Sequence, residues 1–303
     1  MNQLVIPAIA NTPDATSATR WQADLELRFE RTVRGCRLAR NYHRGPLYVQ
    51  KPFFPEGRDL AHVYLLHPPG GLVSGDQLDI RVAVDEGAQA LVTTTGAGRV
   101  YRARPDALLQ CQNTFLRVAR DASLEWLPLE NIAYPGANGA MTMRVDLEAG
   151  ARFAGWEVTS LGLPACDEDF SGGRLLQRLE IFREGKPLLV ESLRLGIASG
   201  GNGEDGNILQ AAAGLRSFPV NGLLVMGPFT NAFSEELLED CRALVADAEK
   251  RCIGGVTLVA NMFVVRVLGH CAFEVRGLLT KLWEIVRPEL LDRPACAPRI
   301  WRT

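Results

Sequence analysis

Three stretches of this chain repeat one pattern, and that pattern restricts the fold more than any other feature. They are RVAVDEGAQALV around Ala88, LRVARDASLEWL around Ala122 and MRVDLEAGARFAGW around Ala151. Each has an apolar-polar alternation, a short polar turn, a small residue and a second apolar run. Alternation with a period of two marks a strand with one buried face. The centres lie 34 and 29 residues apart, which is too irregular for a strict solenoid. The pattern predicts stacked or coiled β-hairpin units that share a core. Strands do not alternate with helices as a doubly wound sheet requires.

The flanking sequence extends this mainly β reading. Trp21, Ala23, Leu25, Leu27 and Phe29 alternate with polar residues as a half-buried strand. Pro52 and Pro55 exclude a helix after Gly45-Pro46 and point to a sheet edge. Residues 62–66 (HVYLL) form a short strand that leads into the turn Pro68-Pro69-Gly70-Gly71. Leu78, Ile80, Val82 and Val84 alternate again. Leu175–Phe182 and Leu188–Leu195 flank an Glu184-Gly185-Lys186-Pro187 turn as a hairpin.

The pattern changes toward the C-terminus. Ser234 can cap a helix that carries Glu235 and Glu236 in its first turn, and the spacing predicts a helix over 234–250 ended by Gly254-Gly255. Short strands follow at Val256–Val259 and Met262–Leu268. Val275, Leu278, Leu279, Leu282, Trp283 and Val286 form one helical stripe, so a second helix is expected over 272–287, stopped by Pro288. The expected fold class is therefore mainly β, a superhelical or coiled arrangement of β-hairpins with two α-helices near the C-terminus. Residues 1–20 read as a flexible tail. Residues 21–303 read as one β-rich domain with a helical C-terminal part from about 206.

Composition excludes several classes. The 303 residues are 47% hydrophobic, ample for a core, and the net charge of -2 lacks the basic excess of a nucleic-acid binder. Seven cysteines without a CxxC pair argue against a zinc module and a secreted disulfide framework. The N-terminus lacks a basic region followed by an apolar run, and no apolar stretch approaches the ~18 residues of a membrane span. A soluble, cytoplasmic protein is expected.

Catalytic signatures are sparse. Gly201, Gly203 and Gly206 fit G-x-G-x-x-G, but Glu204 and Asp205 lie within it and would repel phosphate, so residues 199–207 read as a flexible loop. There is no Walker A sequence and no G-x-S-x-G. Cys166 precedes Asp167, Glu168 and Asp169, a setting that disfavours a thiolate. His62 and His67 are five residues apart, which puts them on opposite faces of a continuous strand. His67, next to the Pro-Pro turn, is the better candidate for metal contact.

The carboxylates offer two readings. Glu125 precedes Trp126, Glu130 closes LEWLPLE, and Glu157 follows Trp156. They are either solvated or arginine-paired strand positions, or oxygens along a path for a hydrated divalent cation. Oxygen donors hold such an ion more loosely than a His/Cys site does. On the second reading Asp76, Glu125, Glu130 and Glu157 line the path, with His67 near an entrance or bend. A metal-dependent hydrolase using the same groups, or a ligand-binding β module, are the alternatives from other classes.

Six segments taken together resemble one family. KPFFPEG (51–57), HPPGGLVSGD (67–76), TTTGAGRVYR (93–102), LEWLPLENIAY (124–134), GWEVTSLG (155–162) and PRIWRT (298–303) are similar, in order, to the urease accessory protein UreD, also called UreH. Two places depart from the family pattern: Leu129 stands where Gln is typical, and Leu163 stands where Arg is usual, with Cys166-Asp167 near the usual Gly-Glu. The resemblance implies a non-enzymatic maturation factor on a β-rich superhelical fold with two helices. It implies binding to the urease apoprotein and assembly with UreF and the GTPase UreG. It further implies nickel in transit to the urease active site, with no tightly bound cofactor.

Overall fold

The computed structural model describes residues 21–196, 208–249 and 251–302. The expected tail at 1–20 and the glycine-rich loop at 199–207 lie outside the described residues. Strand β1 (Gln22–Thr32) turns back as β2 (Gly35–Arg44), followed by β3 (Tyr48–Val49) and β4 (Leu60–Leu66). The repeated units span β5 (Gln77–Val84), β6 (Gln89–Thr94), β7 (Gly98–Val100), β8 (Gln110–Val118), β9 (Ser123–Trp126), β10 (Asn131–Ala133), β11 (Asn138–Leu147) and β12 (Arg152–Leu161). Then come β13 (Arg174–Arg183), β14 (Lys186–Leu195), β15 (Val220–Gly227), α1 (Glu235–Asp247), β16 (Cys252–Val259), β17 (Met262–Gly269) and α2 (Ala272–Leu291). The class is mainly β with two helices, as expected.

Two mixed sheets hold these strands. The first has the order β14-β13-β11-β8-β5-β1-β2. The second runs β16-β17-β15-β12-β9-β6-β4-β3, with β10 pairing β12 and β7. The first arm of each repeated unit lies in the first sheet and the second arm in the second sheet. Arms stack in parallel on the same arm of the next unit: β5 on β8 on β11, and β6 on β9 on β12. These three units are therefore arches rather than hairpins. The polar turn carries the chain across the core, and the apolar faces of the two arms meet face to face. Antiparallel hairpins do occur at β1–β2, β13–β14 and β16–β17.

The turns explain why the pattern repeats. Ala88, Ala122 and Ala151 each donate a backbone hydrogen bond three residues back, to Asp85, Ala119 and Glu148. The residue before each alanine has positive φ: Gly87 at 64°, Asp121 at 54° and Gly150 at 71°. Glycine and aspartate tolerate that conformation. The alanines are fully buried, so a small side chain is required where the chain turns into the core.

Burial divides the molecule into three layers. One core lies between the sheets and includes Leu25, Phe29, Ile80, Val82, Val92, Leu124 and Phe153. A second lies between the outer face of the second sheet and the helices, and includes Leu91, Ala154, Trp156, Leu224, Val265, Leu279 and Trp283. The second sheet is thus buried on both faces, and its strands read as continuous apolar runs rather than alternations. The outer face of the first sheet is charged. Glu30 meets Arg37 at 2.5 Å, Glu26 meets Arg40 at 2.7 Å and Asp24 meets Arg44 at 2.6 Å.

Both helices differ from expectation at their ends. Ser234 caps α1 by accepting from the Leu237 amide at 3.3 Å, but the helix ends at Asp247, and Gly254-Gly255 lie inside β16. The chain leaves α1 by a turn in which the Arg251 and Cys252 amides both donate to Ala248. Pro288 does not stop α2, which continues to Leu291. In the last turn proline removes a single donor, and its own carbonyl accepts the Asp292 amide at 3.0 Å. Burial of Leu290 and Leu291 holds that turn in place.

Candidate functional site

A cavity of about 180 Å³ lies between the two sheets. Its apolar wall includes Leu78 and Ile80 of β5, Trp126 of β9 and Met141 and Met143 of β11. Its polar wall includes His67, Thr94, Thr95, Gln112, Thr114 and Glu157. A sandwich core is normally packed to crystal-like density without such a space. Polar groups persist here because they face the cavity rather than the apolar packing.

His67 enters this cavity from the turn after β4. Gly70 closes that turn at φ 74°, its amide donating to His67 O at 2.8 Å. Gly71 serves by close approach instead: a side chain there would meet Arg99 and Tyr101 at 2.7 Å. Burial lowers the His67 pKa, and nearby Asp76 opposes the shift in part. The imidazole is therefore held toward its neutral form, with a lone pair available to a cation. Asp76 is committed locally. Its Oδ2 accepts from the Val73 amide at 2.9 Å, so it fixes the turn behind His67.

Glu157 comes from β12. Phe153 and Leu161 on the same face of that strand belong to the inter-sheet core, so Glu157 points inward with them. No hydrogen bond or ion pair holds its carboxylate among the described residues. Burial alone pushes its pKa up to about 7. Desolvation disfavours the charged form, and an approaching cation would supply the missing partner. Glu157 also lines a second, more open cavity of about 160 Å³.

Glu125 and Glu130 lie on the other side of the second sheet. Glu125 is opposite Ala154 in the β9–β12 register, so it faces α2 with that alanine. It accepts from Trp283 Nε1 at 2.7 Å and from Arg287 Nη2 at 2.8 Å. Arg287 continues to both oxygens of Glu56 at 2.8 Å each, and Glu56 Oε1 meets His62 Nε2 at 2.8 Å. Burial opposes charge on Arg287 and on Glu56. The hydrogen bonds among them outweigh it, raising the Arg287 pKa and lowering that of Glu56. Glu130 Oε2 lies 3.5 Å from Arg276 Nη1 of α2 and makes no hydrogen bond.

The five expected metal contacts are therefore divided. His67 and Glu157 share one cavity, Asp76 supports His67, and Glu125 and Glu130 face the helices. Among the described residues no group of three or more His, Cys, Asp or Glu is placed to hold a metal ion. His62 and His67 lie on opposite faces, as their spacing predicts. Glu56, Arg287 and the cavity threonines were not identifiable from sequence.

A family model described as "UreD urease accessory protein" matches residues 22–302. The chain belongs to the UreD family of urease accessory proteins. It is 46% identical to the urease accessory protein UreD of Marinomonas sp. (strain MWYL1), over 94% of this chain and 91% of that one. It is 40% identical to UreD of Alcanivorax borkumensis, over 93% of this chain and 92% of the relative. It is also 40% identical to UreD 2 of Brucella anthropi, over 94% of this chain and all of the relative. Membership in the UreD family implies a role in urease maturation. Leu129, one of the departures from the UreD pattern, lines the inter-sheet cavity. Cys166, near the other, is exposed at the end of a short 3₁₀ turn, Pro164–Cys166. No helix of the described residues is long and apolar enough to cross a membrane.

Proposed function

We propose that this chain is a non-catalytic urease maturation factor of the cytoplasm that bridges the urease apoprotein to an assembly of UreF and the GTPase UreG. Nickel reaches urease through its interior. The observation that carries this reading is the cavity between the sheets, with His67 on its wall and the unpaired Glu157 on the face of β12. A neutral imidazole can take nickel from water, and weak hydroxyl and amide donors can pass it on without trapping it. Glu157 then offers a carboxylate that has no competing cation. The apolar stripes of α1 and α2 pack on the second sheet, so partner contact is left to their outer faces.

The test is co-expression of urease with its accessory proteins at limiting nickel, with and without this chain. Nickel content of purified urease should fall sharply without it. Glu157→Ala should lower nickel occupancy several-fold while the accessory complex still assembles on urease. Full urease nickel content in the absence of this chain would overturn the proposal.

A further inference from the structure

We propose that the cavity beyond Glu157 is a second cation station, built from Glu157, Gln177 and Asn221, where a partly hydrated divalent ion pauses before leaving the chain. This rests on the passage proposed above and extends it to an exit side.

The cavity of about 160 Å³ shares Glu157 with the first, so the same carboxylate borders both spaces. It has room for several waters. Gln177 of β13 is 5% exposed and lines it. The Gln177 Nε2 group donates to Thr159 Oγ1 at 2.7 Å, which fixes the amide. Its Oε1 is buried and has no hydrogen-bond donor. A buried carbonyl oxygen without a donor is destabilising unless something fills the space in front of it. A cation with part of its water shell meets that need. Asn221 of β15, opposite Thr159 in the β12–β15 register, adds another neutral oxygen to the wall.

The charges around this space favour a cation. Glu157, Glu191 and Arg266 are the charged residues of its wall. Arg266 of β17 donates to Glu191 of β14 and so joins the edge strand of the first sheet to the second sheet. That pair neutralises itself and leaves the Glu157 carboxylate uncompensated. Carboxylate and amide oxygens are hard donors that hold a hydrated divalent ion without dehydrating it fully. Such a site suits brief residence. The Arg266–Glu191 pair covers the outer side, and an ion that draws Glu191 toward itself would release Arg266.

Equilibrium dialysis of the full-length chain against Ni²⁺ tests the station, paired with nickel content of co-expressed urease. Gln177→Leu should remove one weakly bound Ni²⁺ per chain and lower urease nickel content several-fold. Gln177→Glu should bind Ni²⁺ at least tenfold more tightly and slow its transfer to urease, an effect that a packing role for Gln177 would not produce. Asn221→Leu provides an independent arm if either Gln177 variant fails to fold. If Gln177→Leu and Asn221→Leu keep wild-type Ni²⁺ binding and urease nickel content while Glu157→Ala loses both, the station is refuted and the passage stands. If Glu157→Ala also leaves urease nickel content unchanged, the passage itself is refuted.

Discussion

Arg287 of α2 and Glu125 of β9 meet with almost no exposure to solvent, Nη2 donating to Oε1 at 2.8 Å and Nε to both Oε2 at 3.0 Å and Oε1 at 3.1 Å. Their pairing pins the helical layer to the middle of the second sheet, and Glu56 extends it to the segment before β4. A carboxylate so fully engaged is a structural anchor and not a wall of the passage. Arg287→Met should therefore leave Glu125 and Glu56 buried without a counter-charge and cost roughly 3–5 kcal/mol. Replacing Arg287, Glu125 and Glu56 together by Met, Leu and Leu should recover only part of that loss, because Trp283 Nε1 and His62 Nε2 then lose their carboxylate partners. Urea unfolding of the single and triple variants checks both outcomes. An unchanged midpoint for Arg287→Met would show that the pair does not anchor the helix.

Glu157 gives the stability of the chain a defined dependence on pH. Its folded-state pKa is raised from 4.5 to about 7. The contribution of this group is thus fully present below its unfolded pKa and is lost as pH rises through about 7. Glu157→Gln keeps the neutral form at every pH. It should match wild type at pH 4.5 and exceed it at pH 8 by up to ~3 kcal/mol. Urea midpoints of the two proteins across this range provide the measurement, and parallel curves would contradict the prediction.

Gly71, in the turn after β4, and Gly96, on the cavity wall, have unequal constraints. A Cβ on Gly71 would meet Arg99 O and Tyr101 Cε2 at 2.7 Å, whereas nothing lies within 4 Å of one on Gly96. Gly71→Ala should destabilise by about 1–3 kcal/mol through forced movement of the Arg99 backbone. Gly96→Ala should stay within about 0.5 kcal/mol of wild type. Thermal melting of the two variants side by side separates them.

Trp301 closes the helical layer from the C-terminal side. Its ring lies 5.1 Å from that of Trp156 and 5.6 Å from that of Trp283, and its Nε1 donates to Thr93 Oγ1 at 2.9 Å. Trp301→Ala should cost about 2–4 kcal/mol, because it removes both the ring contacts and a donor to a buried hydroxyl. Hydrogen exchange should show faster opening of β6 and β12, where Thr93 and Trp156 sit. Protection equal to wild type there would argue that the C-terminal segment is only loosely attached.

Much of the fold was legible because local chemistry sets it. Alternation identified β1, β5 and β11, whose outer faces are polar or charged. The same signal is weak in β15, which reads VNGLLVMG and is buried on both faces. A run apolar on both sides has no period of two, so the sequence does not mark this strand. Gly254-Gly255 suggest a helix stop because glycine disfavours helix. They instead lie in the edge strand β16, where the Gly255 side faces open space.

The site was legible in part. Glu125 and Glu157 look alike in sequence, since each adjoins a tryptophan. Their faces differ because Glu125 is opposite Ala154, three residues from Glu157, and an odd offset along a strand reverses direction. The register between β9 and β12 is set by stacking of the units, and no pattern within either strand encodes it.

The sequence by itself determined the tight turns of the repeated units, through a left-handed Gly or Asp before each buried alanine. It also determined the helix cap at Ser234, the proline-marked edge and membership in the UreD family. These depend on neighbours along the chain, whose geometry each residue type restricts directly. The tertiary structure alone decided that the arms of each unit join different sheets, that Arg287 reaches Glu125 and Glu56, and that His67 and Glu157 share one cavity. Those relationships join residues tens to hundreds of positions apart. They arise from burying two apolar faces of the second sheet at once, a condition satisfied only by the whole packed assembly.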